Sequence, residues 1–349
     1  MGICVIAANN GAGLSRDLHL IAQTLSAAGY EVTTQPLGRG KLRKWLRPWL
    51  VRAGNLGRRL RGLPRPYRIN LMLEHIRPEY LDQADCNVLI PNPEYLSDKD
   101  LELLSKIQLV LAKTRHAEVI FRGLGCATSF TGFTSEDRWQ PGVERRRAFF
   151  HLAGRSGAKG TQAILEAWRA HPEWPPLTVV QSAHRAQLGT AAANIDHVTG
   201  YLDDDELRRL QNAHRFHLCP SETEGFGHYL VEALSTGAVT LATDGEPMNE
   251  LVTAQHGLLI PVARMARRGA ARTWLVQVQE IEWAVQQALA LEEADCDVLG
   301  ARARSFFGES DQSFRARLVA TVHGLEQDLD VAAFSAALPA PAAWRRRTA

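Results

Sequence analysis

At 349 residues, with 45% hydrophobic and 22% charged side chains, the chain is long enough for two ordinary domains and too apolar for global disorder. Its five cysteines are odd in number and widely spaced, with no CxxC or Cys/His ligand pattern. This supports neither a disulfide framework nor a zinc site and points to a reducing, cytoplasmic compartment. The net charge of +2 conceals an asymmetry: eleven Lys or Arg and no Asp or Glu fall between Arg39 and Arg68, leaving −9 on the remainder.

The opening run "MGICVIAANNGAGL" lacks the basic region and length of a signal peptide and is expected to be a buried strand that meets a glycine-rich turn. Without Ser or Thr at position six it is also a poor myristoylation signal. No run approaches the roughly 18 to 20 apolar residues that span a bilayer. The spacing predicts a strand over 3–8, an amphipathic helix over 14–30 carrying Leu18, Ile21, Leu25 and Ala28, and a strand over 31–35. In the basic segment 38–68, Pro48, Gly54 and Gly57 restrict helix to short pieces. Strands are expected over 69–75, 86–91 and 109–114, and helices over 98–107 and 115–124.

A polar stretch with Gly and Pro over 131–147 interrupts this alternation and marks a domain boundary. Strands then follow at 148–154, 177–182, 195–200, 216–220, 239–243 and 256–262, with helices at 160–171, 204–213, 228–236, 273–291 and near 311–335. The order implies two successive α/β, Rossmann-like, doubly wound domains, 1–140 and 147–310, facing a central cleft. Residues 336–349 are low in complexity and expected to be disordered.

Two strand-turn-helix junctions carry chemistry. In "HLAGRSGAKG", Gly154, Gly157 and Gly160 permit close backbone approach, and Arg155 and Lys159 can straddle a diphosphate near the helix N-terminus. Plain turn punctuation is the competing reading. In "PSETEGFGHYLVEALSTGAV", Glu224 precedes the amides of Gly225, Phe226 and Gly227 at a helix start, where anionic oxygens are favoured. Glu232, a turn into that helix, can accept both hydroxyls of a ribose; a capping carboxylate plus a solvated helix glutamate is the alternative.

Taken together, "GRSGAKG" and "PSETEGFGHYLVEALSTGAV" resemble the nucleotide-sugar-dependent retaining glycosyltransferases of family 4, which have the GT-B fold. Glu224 and Glu232 match the family's Glu-x7-Glu motif, and Arg155 and Lys159 match the cations of its "GR…KG" turn. "VTGYLDDDELRRLQNA" resembles the stretch near which the nucleobase stacks, which brings in Tyr201. The resemblance implies a hexosyltransferase, active in polysaccharide or glycoconjugate biosynthesis, that moves a sugar from a UDP- or GDP-linked donor to a saccharide, glycolipid or other acceptor. Arg155 and Lys159 would neutralise the leaving diphosphate without a metal and with no bound cofactor. Glu224, with the Phe226 and Gly227 amides, would orient the sugar, and Glu232 would hold the ribose. The donor would sit on 147–310 and the acceptor on 1–140, with helix 311–335 crossing back to the first domain. A non-catalytic nucleotide-sugar or glycan-binding protein, a sugar-nucleotide epimerase and a phosphorylase are the alternatives on the same scaffold.

Three features depart from the pattern: a four-residue Arg-to-Lys spacing, "GEPMNE" in place of a Gly-Gly before Glu250, and no glycine-rich turn in "VVQSAH". In "NNGAGLS", Gly11 and Gly13 resemble the family's loop facing the donor phosphate or acceptor, with a structural turn as the alternative. His75 stands where relatives place a histidine that approaches the donor sugar; a buried structural histidine competes with that reading. The segment 38–68 interleaves Trp45, Trp49 and leucines with its cations, a pattern for an anionic membrane surface or lipid-linked acceptor at the inner face of the membrane. A solvated surface helix is the equal alternative, and nucleic acid is not expected as a partner.

Overall fold

The computed structural model describes residues 2–8, 13–38, 41–184, 186, 191–200, 202–268 and 271–327. Gly11, Tyr201 and the tail 336–349 lie outside them. The chain forms two compact units, Met1–Phe133 with Gln312–Ala349, and Thr134–Asp311. The polar stretch expected to separate domains therefore belongs almost wholly to the second unit.

The first unit runs β1 (Gly2–Ala8), α1 (Gly13–Ala27), β2 (Val32–Leu37), α2 (Lys41–Leu60), β3 (Tyr67–Leu73), β4 (Ala84–Ile90), α3 (Asp98–Leu103), β5 (Leu109–Ala112), α4 (Arg115–Gly123) and β6 (Thr128–Phe130). Its six strands are parallel in the order β2-β1-β3-β4-β5-β6. Cys4, Ile6, Met72, Leu89 and Val110 line one sheet face and pack with Phe121, while Ile3, Val5, Leu71 and Val88 are buried on the other. Such continuous apolar strands are what a sheet covered on both faces requires.

Two sequence expectations change here. Gly13 is already the first residue of α1 rather than part of a loop. The basic segment is not short pieces but a single 20-residue helix with Pro48 inside it. Tertiary contacts override the breakers: Val51 packs on the core, Asn55 donates to the Glu79 carbonyl at 3.2 Å, and Arg47 reaches the Glu79 carboxylate at 3.3 Å.

The second unit contains β7 (Arg146–Gly154), α5 (Thr161–Ala170), β8 (Leu177–Gln181), β9 (Ile195–Val198), α6 (Asp204–Ala213), β10 (His214–Cys219), α7 (His228–Ser235), β11 (Val239–Thr243), α8 (Met248–Leu251), β12 (Gly257–Ile260), β13 (Arg264–Arg268), β14 (Ala271–Leu275), α9 (Val278–Ala290) and the start of α10 (Glu293–Glu326). Six parallel strands follow the order β12-β11-β10-β7-β8-β9, while β13 and β14 form a separate antiparallel hairpin. Phe149 of β7 stacks on Phe216 of β10 at 4.7 Å and meets Trp168 of α5 edge-on at 5.0 Å. These rings anchor the main core of the unit.

The helix expected over 273–291 therefore starts later, because Ala271–Leu275 pairs with Arg264–Arg268 as a strand. The last helix starts earlier, at Glu293 rather than near 311, and its residues from Gln312 onward belong to the first unit. Gly300 explains part of that second difference. Its helix propensity is poor, yet a Cβ there would collide with the backbone carbonyl oxygen of Gly237 just after α7. Arg145 donates to that carbonyl at 2.6 Å, which leaves it little freedom to move. Gly300→Ala is expected to destabilise the second unit by about 1–3 kcal/mol through overpacking, despite alanine's better propensity. Urea unfolding would read it as a lower midpoint, and a stabilised variant would refute the close approach. Among the described residues no helix is long and apolar enough to cross a membrane.

Candidate active site

In an open parallel sheet, ligands bind beyond the carboxyl ends of the strands where the strand order reverses. In the second unit that point lies between β7 and β10, which are neighbours in the sheet. The loops leaving these two strands are the glycine turn and the Glu224 loop. Ala158 and Glu222 join them through a backbone hydrogen bond of 3.0 Å.

The glycine turn begins at Gly154, φ +57°, and ends at Gly160, φ +62°, which occupies the N-cap of α5. A Cβ on Gly160 would stand 2.7 Å from the carbonyl oxygen of Pro220, so this contact between the loops requires glycine. Arg155 is exposed at the tip. Lys159 turns inward: its Nζ lies 3.4 Å from Glu224 Oε1 and 3.0 Å from the centre of the Tyr229 ring on α7. Glu224 also accepts a hydrogen bond from Ser221 Oγ at 2.6 Å. Thus the structure brings Lys159 and Glu224 together and leaves Arg155 outside their contact.

Gly225, Phe226 and Gly227 are buried. Gly227 caps α7 at φ +104°, a conformation L side chains rarely adopt. The first bond inside the helix is from the Leu230 amide to the Gly227 carbonyl at 3.0 Å, so the preceding amides stand at the helix entrance. Glu232 is only 1% exposed. Its two carboxylate oxygens accept from Ser135 Oγ at 3.4 Å and from Gln211 Nε2 at 3.1 Å. It is thus neither an N-cap nor a solvated helix glutamate.

Sequence reasoning missed the residues that hold Glu232. Gln211 is oriented by Arg138, whose Nε donates to Gln211 Oε1 at 2.8 Å. Arg138, 1% exposed, also donates from Nη1 to both oxygens of Asp204 at 2.7 and 2.9 Å. His228 Nδ1 lies 3.1 Å from Ser135 Oγ. Gln211 could have been noticed as a polar residue beside Leu207 and Leu210 on α6, but Ser135 and Arg138 sit in a loop with no periodic signal. The acidic run at 203–205 is employed structurally: Asp203 caps α6 by accepting from the Glu206 amide at 2.8 Å, and Asp204 serves Arg138. Behind the glycine turn, His151 links β10 to α5 through the Leu218 carbonyl and Thr161 Oγ1. Burial pushes its pKa down to about 4, so it is neutral.

A cavity of about 640 Å³ lies beside this centre, lined among others by Ser156, Gly160, Gln162, Glu166, Glu222 and Gln277. It touches the back of the glycine turn but none of Lys159, Glu224 and Glu232. Among the described residues, no cluster of three His, Cys, Asp or Glu side chains could hold a metal ion.

In the first unit the strand order reverses between β1 and β3. The residues leaving β3 are Glu74, at φ +68°, and His75. A non-glycine residue in this left-handed region is strained and marks a constrained loop. His75 Nδ1 lies 2.8 Å from Asp100 Oδ2, with Glu74 Oε2 at 3.7 Å from the other ring nitrogen. The His75 side chain is 30% exposed. The hydrogen bond to Asp100 raises the His75 pKa above 6.5 despite burial. Burial would raise the Asp100 carboxyl, but hydrogen bonds from His75, from Ser97 and from the Ile76 amide outweigh it and hold the carboxyl at about 2.

The pair therefore stabilises the folded state most between pH about 4 and 6.5. Below this window the Asp100 contribution fades as pH falls towards 2. Above it the His75 contribution fades as pH rises through its elevated folded pKa. Asp100→Asn is expected to return the His75 pKa towards 6.5 and to flatten both limbs of the stability profile. NMR titration of His75 checks it; an unchanged titration would disprove the coupling.

Residues 133–277 match the family model described as glycosyl transferases group 1. No curated protein sequence matches the chain. Sucrose-phosphate synthase from Thermosynechococcus elongatus superposes with a TM-score of 0.68 at 15% identity, over 95% of this chain and 100% of that one. HepE from Anabaena, in complex with UDP and glucose, gives 0.62 at 15% identity over 94% and 100%. The pneumococcal O-GlcNAc transferase GtfA, in complex with UDP and GlcNAc, gives 0.59 at 14% over 79% of this chain. The chain spans 60% of that protein's length and 61% of the matched chain in the GtfA/B complex. The two Rossmann-like units are those of the GT-B fold, and the group 1 glycosyltransferase match covers the glycine turn, Glu224 and Glu232.

Proposed function

We propose that the chain is a retaining, hexosyltransferase-type enzyme of the family 4 kind. It moves a sugar from a nucleotide-diphosphate sugar to a saccharide, a glycolipid or another acceptor, without a metal. The observation that carries this reading is the Lys159–Glu224 contact of 3.4 Å at the strand-order reversal of the second unit. It sets a cation and a hydrogen-bond acceptor beside the helix entrance at Gly227.

In the reaction the bond between the donor sugar's C1 and the diphosphate oxygen breaks, and the acceptor hydroxyl oxygen bonds to C1. The hydroxyl proton leaves with the diphosphate. Negative charge grows on the leaving group, so Lys159 stabilises the transition state more than the bound donor. The exposed Arg155 closes on the same charge. Glu224, released from Lys159 by the diphosphate, accepts hydrogen bonds from sugar hydroxyls, and Glu232 receives the ribose. Tyr201 contributes to the donor site. The donor occupies the second unit and the acceptor the first, the unit that carries Gly11, Gly13 and His75. The reaction takes place in the cytoplasm, at the inner face of a membrane when the acceptor is lipid-linked.

Thermal shift with a panel of UDP- and GDP-sugars tests donor binding, because a ligand of the native state raises the melting temperature. The UDP recorded in two matched structures puts UDP-sugars first. Turnover with product retaining the donor anomeric configuration is expected. Inversion would overturn the retaining assignment, and binding without turnover in any acceptor extract would favour a binding protein on the same scaffold.

A further inference from the structure

Helix α2 turns polar side chains as well as Val51 towards its own unit. Arg47, Val51, Asn55 and Arg58 recur at spacings of four, four and three residues and form the face turned towards its own unit. Asn55 is buried, donating to the Glu79 carbonyl and accepting from Gln83 Nε2 at 3.1 Å. Arg47 pairs with Glu79, and Arg58 gives its Nη2 to the Pro64 carbonyl at 2.9 Å. Asn55 and Arg47 thus turn inward, to Glu79 and Gln83.

Trp45, Trp49, Arg52, Leu56, Arg59 and Leu60 fall within an arc of about 100° on the other side. Trp45 is 68% exposed, Trp49 63%, Leu56 58% and Leu60 79%. Of fourteen large hydrophobic side chains exposed among the described residues, seven lie between Trp45 and Leu63. A soluble surface helix shows the opposite arrangement, with its apolar stripe facing the core. Concentrated exposure of this kind marks an interaction surface rather than scattered surface leucines.

The charges select the partner. Arg52, Arg59, Arg61 and Arg65 are exposed around this face, and no Asp or Glu occurs between Arg39 and Arg68. A second copy presenting the same face would set cation against cation. A nucleic acid would satisfy the arginines but leave the tryptophans and leucines of the stripe in water. A lipid interface with anionic headgroups satisfies both sets at once. Tryptophan and leucine enter the boundary between headgroups and acyl chains, and arginine stays at the phosphates.

We propose that the outer face of α2 docks on an anionic lipid surface, with Trp45, Trp49, Leu56 and Leu60 as the inserted residues and Arg52, Arg59 and Arg61 as the headgroup contacts. This surface stands independently of the glycosyltransfer reading, since no donor or acceptor enters the argument.

The experiment sediments the full chain with vesicles of phosphatidylcholine alone or of equimolar phosphatidylcholine and phosphatidylglycerol. Binding is expected to the mixed vesicles only, with tryptophan emission shifted to the blue and quenched by brominated acyl chains. Trp45→Ser combined with Trp49→Ser and Leu56→Ser changes exposed side chains only and is expected to reduce partitioning by about tenfold or more, through the apolar area lost. Arg52→Gln with Arg59→Gln and Arg61→Gln is expected to reduce it about tenfold or more and to weaken its salt dependence. Circular dichroism of both variants, unchanged from the parent chain, keeps the comparison interpretable. No sedimentation with the mixed vesicles, or equal sedimentation of the tryptophan variant, would overturn the proposal. So would a concentration-dependent dimer abolished by the same tryptophan substitutions, or DNA binding that survives them.

Discussion

Lys159→Ala is expected to lower kcat for sugar transfer by about 10²–10³-fold, the usual effect of removing one fixed group that stabilises developing negative charge. Lys159 Nζ is held between Glu224 Oε1 at 3.4 Å and the Tyr229 ring centre at 3.0 Å, and its side chain is 15% exposed. A cation in such a slot needs little reorganisation when charge appears on the diphosphate. Donor affinity should fall far less than kcat, because the ground-state diphosphate is already charged and the difference arises in the transition state. Lys159→Arg keeps the charge but brings a wider, planar group into the slot, so only partial activity is expected. Turnover assays with calorimetric donor binding separate the two quantities. A variant retaining activity within about threefold of the parent would remove Lys159 from the reaction.

The largest stability effect is expected at Lys113, just beyond β5. Its ammonium is 2% exposed and contacts the Asp17 carboxylate, itself 3% exposed, while also donating to Asn92 Oδ1 at 3.1 Å. The Phe133 ring centre lies 4.8 Å from the same nitrogen. Lys113→Ala removes the cation that contacts this buried carboxylate. Loss of about 3–5 kcal/mol is expected from breaking one side of such a pair, a large part of the total stability of a domain. The double substitution Asp17→Leu with Lys113→Met replaces both charges by apolar groups and is expected to lie much closer to the parent chain. Urea unfolding of the three proteins decides the matter. A single variant as stable as the double would show that burial of Asp17 carries no such cost.

Periodicity made most of the architecture legible. Apolar runs separated by amphipathic stretches predict parallel strands and covering helices, and the sheets of both units follow that alternation. Periodicity misled where propensity and packing disagree. Pro48, Gly54 and Gly57 argue against a continuous α2, yet Val51 and Asn55 find partners that hold it together. Gly300 and Gly308 similarly disguise the first half of α10. The hairpin of Arg264–Arg268 with Ala271–Leu275 was invisible because its partner strand reads equally well as the first turn of α9.

For the candidate site, spacing within the sequence already singled out Arg155, Lys159, Glu224 and Glu232 as chemistry-bearing residues. Sequence alone determined what depends on near neighbours: the glycine turns, the starts of α5, α6 and α7, and the alternation that makes each unit an open parallel sheet. Tertiary structure decided which distant groups meet. Lys159 reaches Glu224 because β7 and β10 become neighbours in the sheet. Glu232 lies buried because Ser135 and Gln211 arrive from a loop and another helix. His75 is paired because α3 presents Asp100 to it. The stripe of α2 points outward because Val51 and Asn55 take the inward face. The physical reason is common to all four. Backbone periods of two and 3.6 residues are local properties, whereas the partner of a buried polar group is set by strand order and packing, and the cost of leaving that group unpaired enforces the choice.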